Sequence, residues 1–285
     1  MSKNKLILLG TKGGPAITRD GSWPTSHALV IDGKCYVIDA GLGVTRQYVQ
    51  AGLSFADLEA VFITHHHSDH NLELGALVYT AWNTAKPHEI AIRGPQGLDH
   101  LMRHVLASQA YDINIRIADE GLADPAQLIT WQEYANGEVY QDDRIKVTSC
   151  KVSHPPVEEC YALKIETANK TIIFGADTCF YPPLADFAKG ADILIHEAMH
   201  IGAARQLCEL NKEVEPNLWS HFSASHTSCE DAGRIATMSE CKQLILNHFV
   251  PQIGPLVSRA DFEEAVRTTY QGDLIIGHDL CEIVF

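Results

Sequence analysis

The chain has 285 residues, is 46% hydrophobic and 20% charged, and carries a formal net charge of −14 with its histidines neutral. That composition excludes a disordered chain and is ample for a substantial core. It also disfavours a polyanionic partner, because counterion release rewards basic surfaces. No apolar run approaches the roughly 18 residues of a membrane span, so no membrane association is expected. The opening "MSKNKLILLG" is basic but its apolar run, Leu6–Leu9, is too short for a secretory leader, and a cytoplasmic protein is expected. Eight cysteines are scattered without a C-x-x-C pair, which reads as reduced, mostly buried thiols.

In chain order, "KLILLG" (5–10), "HALVID" (27–32) and "KCYVID" (34–39) read as strands, with Asp32-Gly33 as a hairpin turn between the last two. "VTRQYVQAGL" reads as a helix stopped at Gly52. "AVFIT" (60–64) is a buried strand leading into "HHHSDH", and 72–85 is a helix ended by Pro87. Further strands are expected at 143–152, 159–167, 170–176, 192–197 and 242–248. Helices are expected near 95–109, 201–213, 229–239 and 260–270, the third opened by a capping box from Thr227 to Glu230. Strands and helices interleave throughout without a linker, which suits two packed sheets with helices outside, folded as one domain over 1–285.

The chemistry concentrates at strand ends. His65, His67, Asp69 and His70 form an H-x-H-x-D-H cluster. His154, Asp177 and His248 each stand at or just past the end of a predicted strand, where loops build sites. Imidazoles and carboxylates without thiolates suit zinc. Seven such residues exceed one tetrahedral ion but fit two ions sharing a carboxylate.

These residues and their order resemble the metallo-β-lactamase fold, an αββα sandwich, and more narrowly its ribonuclease Z-like branch, which includes arylsulfatases. "LLGTKGGP", "VIDAGLG", "LIHEAMH" and "SHTSCEDAGRIA" are similar to further motifs of that branch. The resemblance implies that His65, His67 and His154 bind one zinc, that Asp69, His70 and His248 bind a second, and that Asp177 bridges them. Manganese or iron would accept the same ligands. It implies that Asp69 holds the nucleophilic water, that His226, oriented by Glu197, acts on the substrate, and that Asp39 supports the ligand histidines. A plain helix-capping role is the alternative for His226. His196, His200 and His221 are as well explained by structural roles.

In the nuclease branch a long tRNA-gripping arm lies between the counterparts of His154 and Asp177. Those residues are 23 apart here, filled mostly by two predicted strands. With the charge, this directs the expectation to a dinuclear zinc hydrolase of a small ester, arylsulfatase-like, using a metal-bridged hydroxide. The expected partner is a small molecule rather than nucleic acid, and a homodimer is implied by the branch. The alternatives are a ribonuclease Z-like nuclease or cyclic-nucleotide phosphodiesterase, a lactonase or β-lactam hydrolase, and a di-iron redox protein. Segment 201–225 is expected as a lid, with Trp23, Phe180, Tyr181, Trp219 and Phe222 as candidate pocket aromatics.

Overall fold

Short apolar runs separated by turns build fourteen strands in two sheets, seen in a computed structural model that describes residues 4–85 and 87–285. The first six are β1 (Lys5–Gly10), β2 (Ser26–Ile31), β3 (Lys34–Ala40), β4 (Leu58–Phe62), β5 (Ile90–Gly94) and β6 (Ile129–Glu133). They form one sheet in sequence order, edged on the β1 side by the C-terminal β14 (Cys281–Val284). The second sheet runs in reverse order from β13 (Asp273–Ile276) through β12 (Gln243–Val250), β11 (Ile193–Met199), β10 (Thr171–Phe174), β9 (Tyr161–Glu166) and β8 (Lys146–Lys151) to β7 (Gly137–Gln141). Apart from β14, which pairs antiparallel with β1, the earlier strands of each sheet pair antiparallel and the later ones parallel, the switch falling at the β3–β4 and β10–β11 pairs.

Strand alternation sorts the side chains into layers. Along β1, Leu6 and Leu8 face the second sheet while Ile7 and Leu9 face the helices; Tyr36 and Ile38 of β3 point inward while Cys35 and Val37 point out. The inner layer meets Leu163, Ile165, Ile172, Ile195 and Ile245 of the opposite sheet. Phe62 lies there fully buried, so Phe62→Ala would cost about 3–5 kcal/mol. Helices Leu74–Thr84 and Leu98–Ser108 cover the outside of the first sheet, and Cys229–Ser239 and Arg259–Arg267 the outside of the second. This is the αββα sandwich that the motifs implied.

The β2–β3 hairpin turns on Asp32 and Gly33, both at positive φ (49° and 82°), as a two-residue turn of that type requires. The cap of Cys229–Ser239 differs from expectation. Ser228, not Thr227, is the N-cap, its hydroxyl accepting from Asp231 N at 3.1 Å. Thr227 instead spends its hydroxyl on the Thr178 carbonyl. Segment 201–225 holds two helices, Ile201–Leu210, where a helix was expected, and Leu218–Ser225. No helix among the described residues is long and apolar enough to cross a membrane. The free cysteines match the expectation of thiols without disulfides.

Candidate metal centre

Parallel strands end together, and the site collects at those ends. His65 follows β4, His154 follows β8, Asp177 follows β10, Glu197 lies within β11 and His248 within β12. Asp39 (φ 60°), Ala176 (φ 55°) and His248 (φ 44°) all hold left-handed backbone beside the cluster. Such conformations cost free energy in non-glycine residues and persist where surrounding bonds fix them. Two glycines give the centre its close approaches. A Cβ on Gly41 would fall 2.3 Å from the Asp69 carbonyl oxygen, and one on Gly13 2.8 Å from the His248 ring.

The sequence-predicted ligands converge in two groups. His65 Nε2 lies 3.2 Å from His67 Nδ1, which lies 3.1 Å from His154 Nε2. Two of these rings have their other nitrogen committed outward. The Thr64 hydroxyl donates to Asp39 at 2.9 Å and therefore accepts from His65 Nδ1 at 3.1 Å. His154 Nδ1 donates to the Ser225 carbonyl at 2.9 Å. Their Nε2 lone pairs thus face one another with no proton between them. Tetrahedral zinc with nitrogen ligands would set such atoms about 3.3 Å apart.

The second group surrounds Asp177. Its Oδ2 lies 3.0 Å from His248 Nε2 and 3.3 Å from His70 Nε2, and 3.9 Å from both His65 Nε2 and His154 Nε2. Asp69 Oδ2 stands 3.3 Å from His248 Nε2 and 3.6 Å from His70 Nε2, and accepts from Gly14 N at 2.7 Å. His70 Nδ1 donates to Asp39 at 2.8 Å. One carboxylate oxygen therefore borders both sets of imidazoles, and all seven predicted ligands are brought together.

The electrostatics divide the same way. Burial pushes His65 well below the ordinary histidine range, and pushes His67 and His154 down, against the pull of Asp177. Burial also opposes a proton on His70 and His248, but Asp177, with Asp39 for His70 and Asp69 for both, outweighs it. His70 is raised well above its usual value and His248 to about 10. Burial would push Asp177 up, yet His248 and His70 hold it well below the carboxylate range. Two lone-pair nitrogens, a third imidazole beside them and a carboxylate pair that draws in positive charge fit divalent cations.

His226 borders both groups, packing against the His154 ring with centroids 5.2 Å apart and forming with Glu197 and His248 a third cluster of potential ligand atoms. Its Nδ1 donates to Glu197 Oε2 at 2.8 Å, and Glu197 Oε1 accepts from Thr178 N at 2.6 Å. Its ring stacks on His248 with centroids 5.5 Å apart. Burial lowers its pKa, but Glu197 more than offsets this and raises it. It follows the last residue of Leu218–Ser225 and caps no helix N-terminus, which removes the capping alternative.

A cleft of about 680 Å³ opens over the cluster, lined by Asp69, Asp177, His226, His248 and the helical pair 201–225 through Leu207, Leu218, His221 and Phe222. Among the candidate aromatics only Phe222 lines it. Trp219 carries the Arg205 guanidinium 4.0 Å above its ring, Trp23 packs against Gly43, and Tyr181 joins the outer core. His200 caps its helix, accepting from Ala203 N, and His196 is buried with Nδ1 on the Glu197 carbonyl. The site also uses Thr64 and the Ser225 carbonyl, which nothing in the sequence singles out. It is lined as well by His221, expected in a structural role, and by Lys12 of the "LLGTKGGP" segment, to which no role was given. Lys12 is nearly buried in the cleft wall, and burial holds its ammonium below the usual range against the pull of Asp69.

A family model described as "Anti-Pycsar protein Apyc1" matches residues 4–244, well over half of the chain. The chain belongs to this Apyc1 family. It is 29% identical over 280 residues to a ribonuclease Z of Mycobacterium bovis, covering 97% of this chain and 96% of the relative. The fold superposes on the metallo-β-lactamase fold protein YhfI from Bacillus subtilis (TM-score 0.71, 19% identity, 99% of both chains). It also superposes on the short form of human tRNase Z (TM-score 0.68, 18% identity, 98% of both chains). The metallo-β-lactamase fold is thereby established for this Apyc1-family chain.

One expectation is corrected. A small-molecule partner with nucleic acid disfavoured conflicts with relatives named ribonuclease Z along nearly the whole chain. Neither argument for it discriminates. The relative aligns over 97% of this chain and 96% of its own length, so the two agree in extent despite the short spacing from His154 to Asp177. Net charge is a property of the whole surface, whereas the reacting phosphate meets a local field in the cleft. The arylsulfatase-like preference gives way, for the same reason, to the phosphodiesterase alternative.

Proposed function

We propose that the protein is a metal-dependent phosphodiesterase cleaving ribonucleotide phosphodiester bonds, working as one hydrolase domain whose site draws on both sheets. The observation that carries the metal dependence is the Asp177 carboxylate oxygen, within 3.9 Å of four imidazole nitrogens. The substrate class rests on the relatives named ribonuclease Z. In this reading His65, His67 and His154 hold one ion, Asp69, His70 and His248 a second, and Asp177 lies between; zinc fits the donors best. Bound divalent cations supply phosphoryl polarisation and a usable nucleophile from water at neutral pH.

The chain's own residues do the rest. Asp69, fixed by Gly14 N, accepts the proton from the attacking water. His226 keeps Nδ1–H on Glu197, so its Nε2 is the nitrogen left for the leaving oxygen, and Glu197 favours the protonated ring that can donate there. The Thr64 and Asp39 bonds fix the tautomers of His65 and His70. The test compares precursor tRNA, a short single-stranded RNA, a cyclic ribonucleotide and a nitrophenyl sulfate in one buffer. Turnover of a ribonucleotide phosphodiester, abolished by chelator and restored by divalent metal, is expected. Sulfate-ester turnover exceeding that of every phosphodiester would overturn the reading.

A further inference from the structure

The loop after β1 carries a feature that neither the metal ligands nor the His226–Glu197 pair accounts for. Lys12 is only 7% exposed, yet it forms no ion pair with a carboxylate among the described residues. The one hydrogen bond from its Nζ goes to the neutral carbonyl of Gly14, at 3.0 Å. Burying a charge without a counter-charge is costly, and lysines are seldom left so. The backbone around it is tied on both sides. Lys12 N donates to the Trp23 carbonyl at 3.0 Å, Gly13 N donates to the Phe249 carbonyl at 3.2 Å, and the Thr25 hydroxyl donates to the Lys12 carbonyl at 3.2 Å. The ammonium is therefore held where it is by the same loop that fixes Asp69 through Gly14 N.

Its place in the cleft gives the charge a purpose. Lys12, Gly13 and Gly14 line the same cleft as Asp69, Asp177 and His226, with Gly14 bonded to Asp69, and a Cβ on Gly14 would lie 4.0 Å from Nζ. No arginine and no second lysine is among the described residues lining the cleft, and outside the metal cluster its one lining carboxylate is Glu215 of the lid. Lysine binds phosphate as a point charge with three donors, of which one is spent here. We infer that Lys12 is a substrate-binding residue whose ammonium takes an anionic oxygen of the substrate's phosphate, in the cleft that His226 also lines. This rests on the phosphodiesterase reading for its substrate, but the anion site itself does not require turnover. A bound phosphate would add its negative charge to the pull of Asp69 against the burial that holds the Lys12 ammonium down.

The experiment uses the metal-loaded full chain with inorganic phosphate as probe, by calorimetry, in wild type, Lys12→Met and Lys12→Arg. Methionine keeps an unbranched apolar stem of nearly the same length and removes the ammonium with its charge and donors. Phosphate affinity is expected to fall by about 10- to 100-fold in Lys12→Met, the size of a lost charge-assisted bond, with metal content unchanged, and to recover largely in Lys12→Arg. On a ribonucleotide phosphodiester the loss is expected mainly in KM rather than kcat. Unchanged phosphate affinity in Lys12→Met would overturn the inference. So would a loss of bound metal in that variant, since Lys12 would then be a prop for Asp69. A wild-type protein that hydrolyses no phosphodiester would sink the functional reading while leaving the phosphate comparison to decide the Lys12 site.

Discussion

At the scale of single residues, the pairing of His226 with Glu197 separates acting on the substrate from holding metal. His226→Ala removes a ring whose hydrogen bond goes to Glu197 and which meets His154 and His248 by ring packing, so metal content by elemental analysis should stay at the wild-type level. Turnover should fall by about 10²–10⁴-fold, the usual range for a lost general acid. Metal loss in this variant would make the residue a ligand instead. The cluster also titrates in a defined direction when stripped of metal. His248 is held at about 10, above its ordinary 6.5, because Asp177 and Asp69 outweigh burial. Its contribution to stability is then complete below about pH 6.5 and lost as pH rises through about 10. Asp177 is depressed, so its contribution is present above the carboxylate range and lost in acid. The melting temperature of the chelator-treated protein should therefore fall from about pH 7 to about pH 10. Metal-loaded protein should fall less over that interval, since an ion replaces the proton. A flat profile for the stripped protein would count against this assignment of charge.

At the scale of elements, what was legible depended on how strongly a segment announced itself. The buried strands β4, β10 and β12 are apolar runs that end near His or Asp, so their positions and their site residues could be read together. β7 and β14 are short edge strands with half their residues exposed, and "GEVYQ" and "CEIV" carry no periodicity long enough to detect. The supports of the ligands were hidden for another reason. The Ser225 carbonyl that orients His154 is backbone, and a backbone acceptor has no sequence signature. Lys12 looks like any lysine until its burial is known. The cap at Ser228 was missed by one residue because Thr227 and Ser228 are both good caps, and only the backbone shows that Ser228 (φ −64°, ψ 156°) leaves the helix first. Ser228→Ala should lower unfolding free energy in urea by about 1 kcal/mol, the usual worth of an N-cap hydroxyl. A change below about 0.3 kcal/mol would mean that water or the neighbouring Asp231 replaces the cap.

At the scale of the whole molecule, a net charge of −14 surrounds a cleft whose lining has one lysine and no arginine among the described residues. Each phosphate neutralised by lysine or arginine contributes a slope of about −0.7 to −0.9 in log affinity against log salt. For RNA cleavage, log(kcat/KM) against log salt should therefore be no steeper than about −1. A slope several times larger would place a basic RNA-binding surface elsewhere on the chain. The division of the ligands between the two sheets has a temporal side. His65 through His70 belong to the half of the chain made first, whereas His248 arrives on the next-to-last strand of the second sheet. At ribosomal speeds, roughly ten to forty seconds separate the synthesis of the two. During that interval the nascent histidine cluster is an open chelator lacking its later partners, and copper or nickel outcompetes zinc or manganese for such loose donor sets wherever it is free. Which ion becomes enclosed when the last strands dock is thus partly decided by the metals present while the chain is being made, and protein produced in zinc-rich and manganese-rich media should differ in its resident ion even after identical purification.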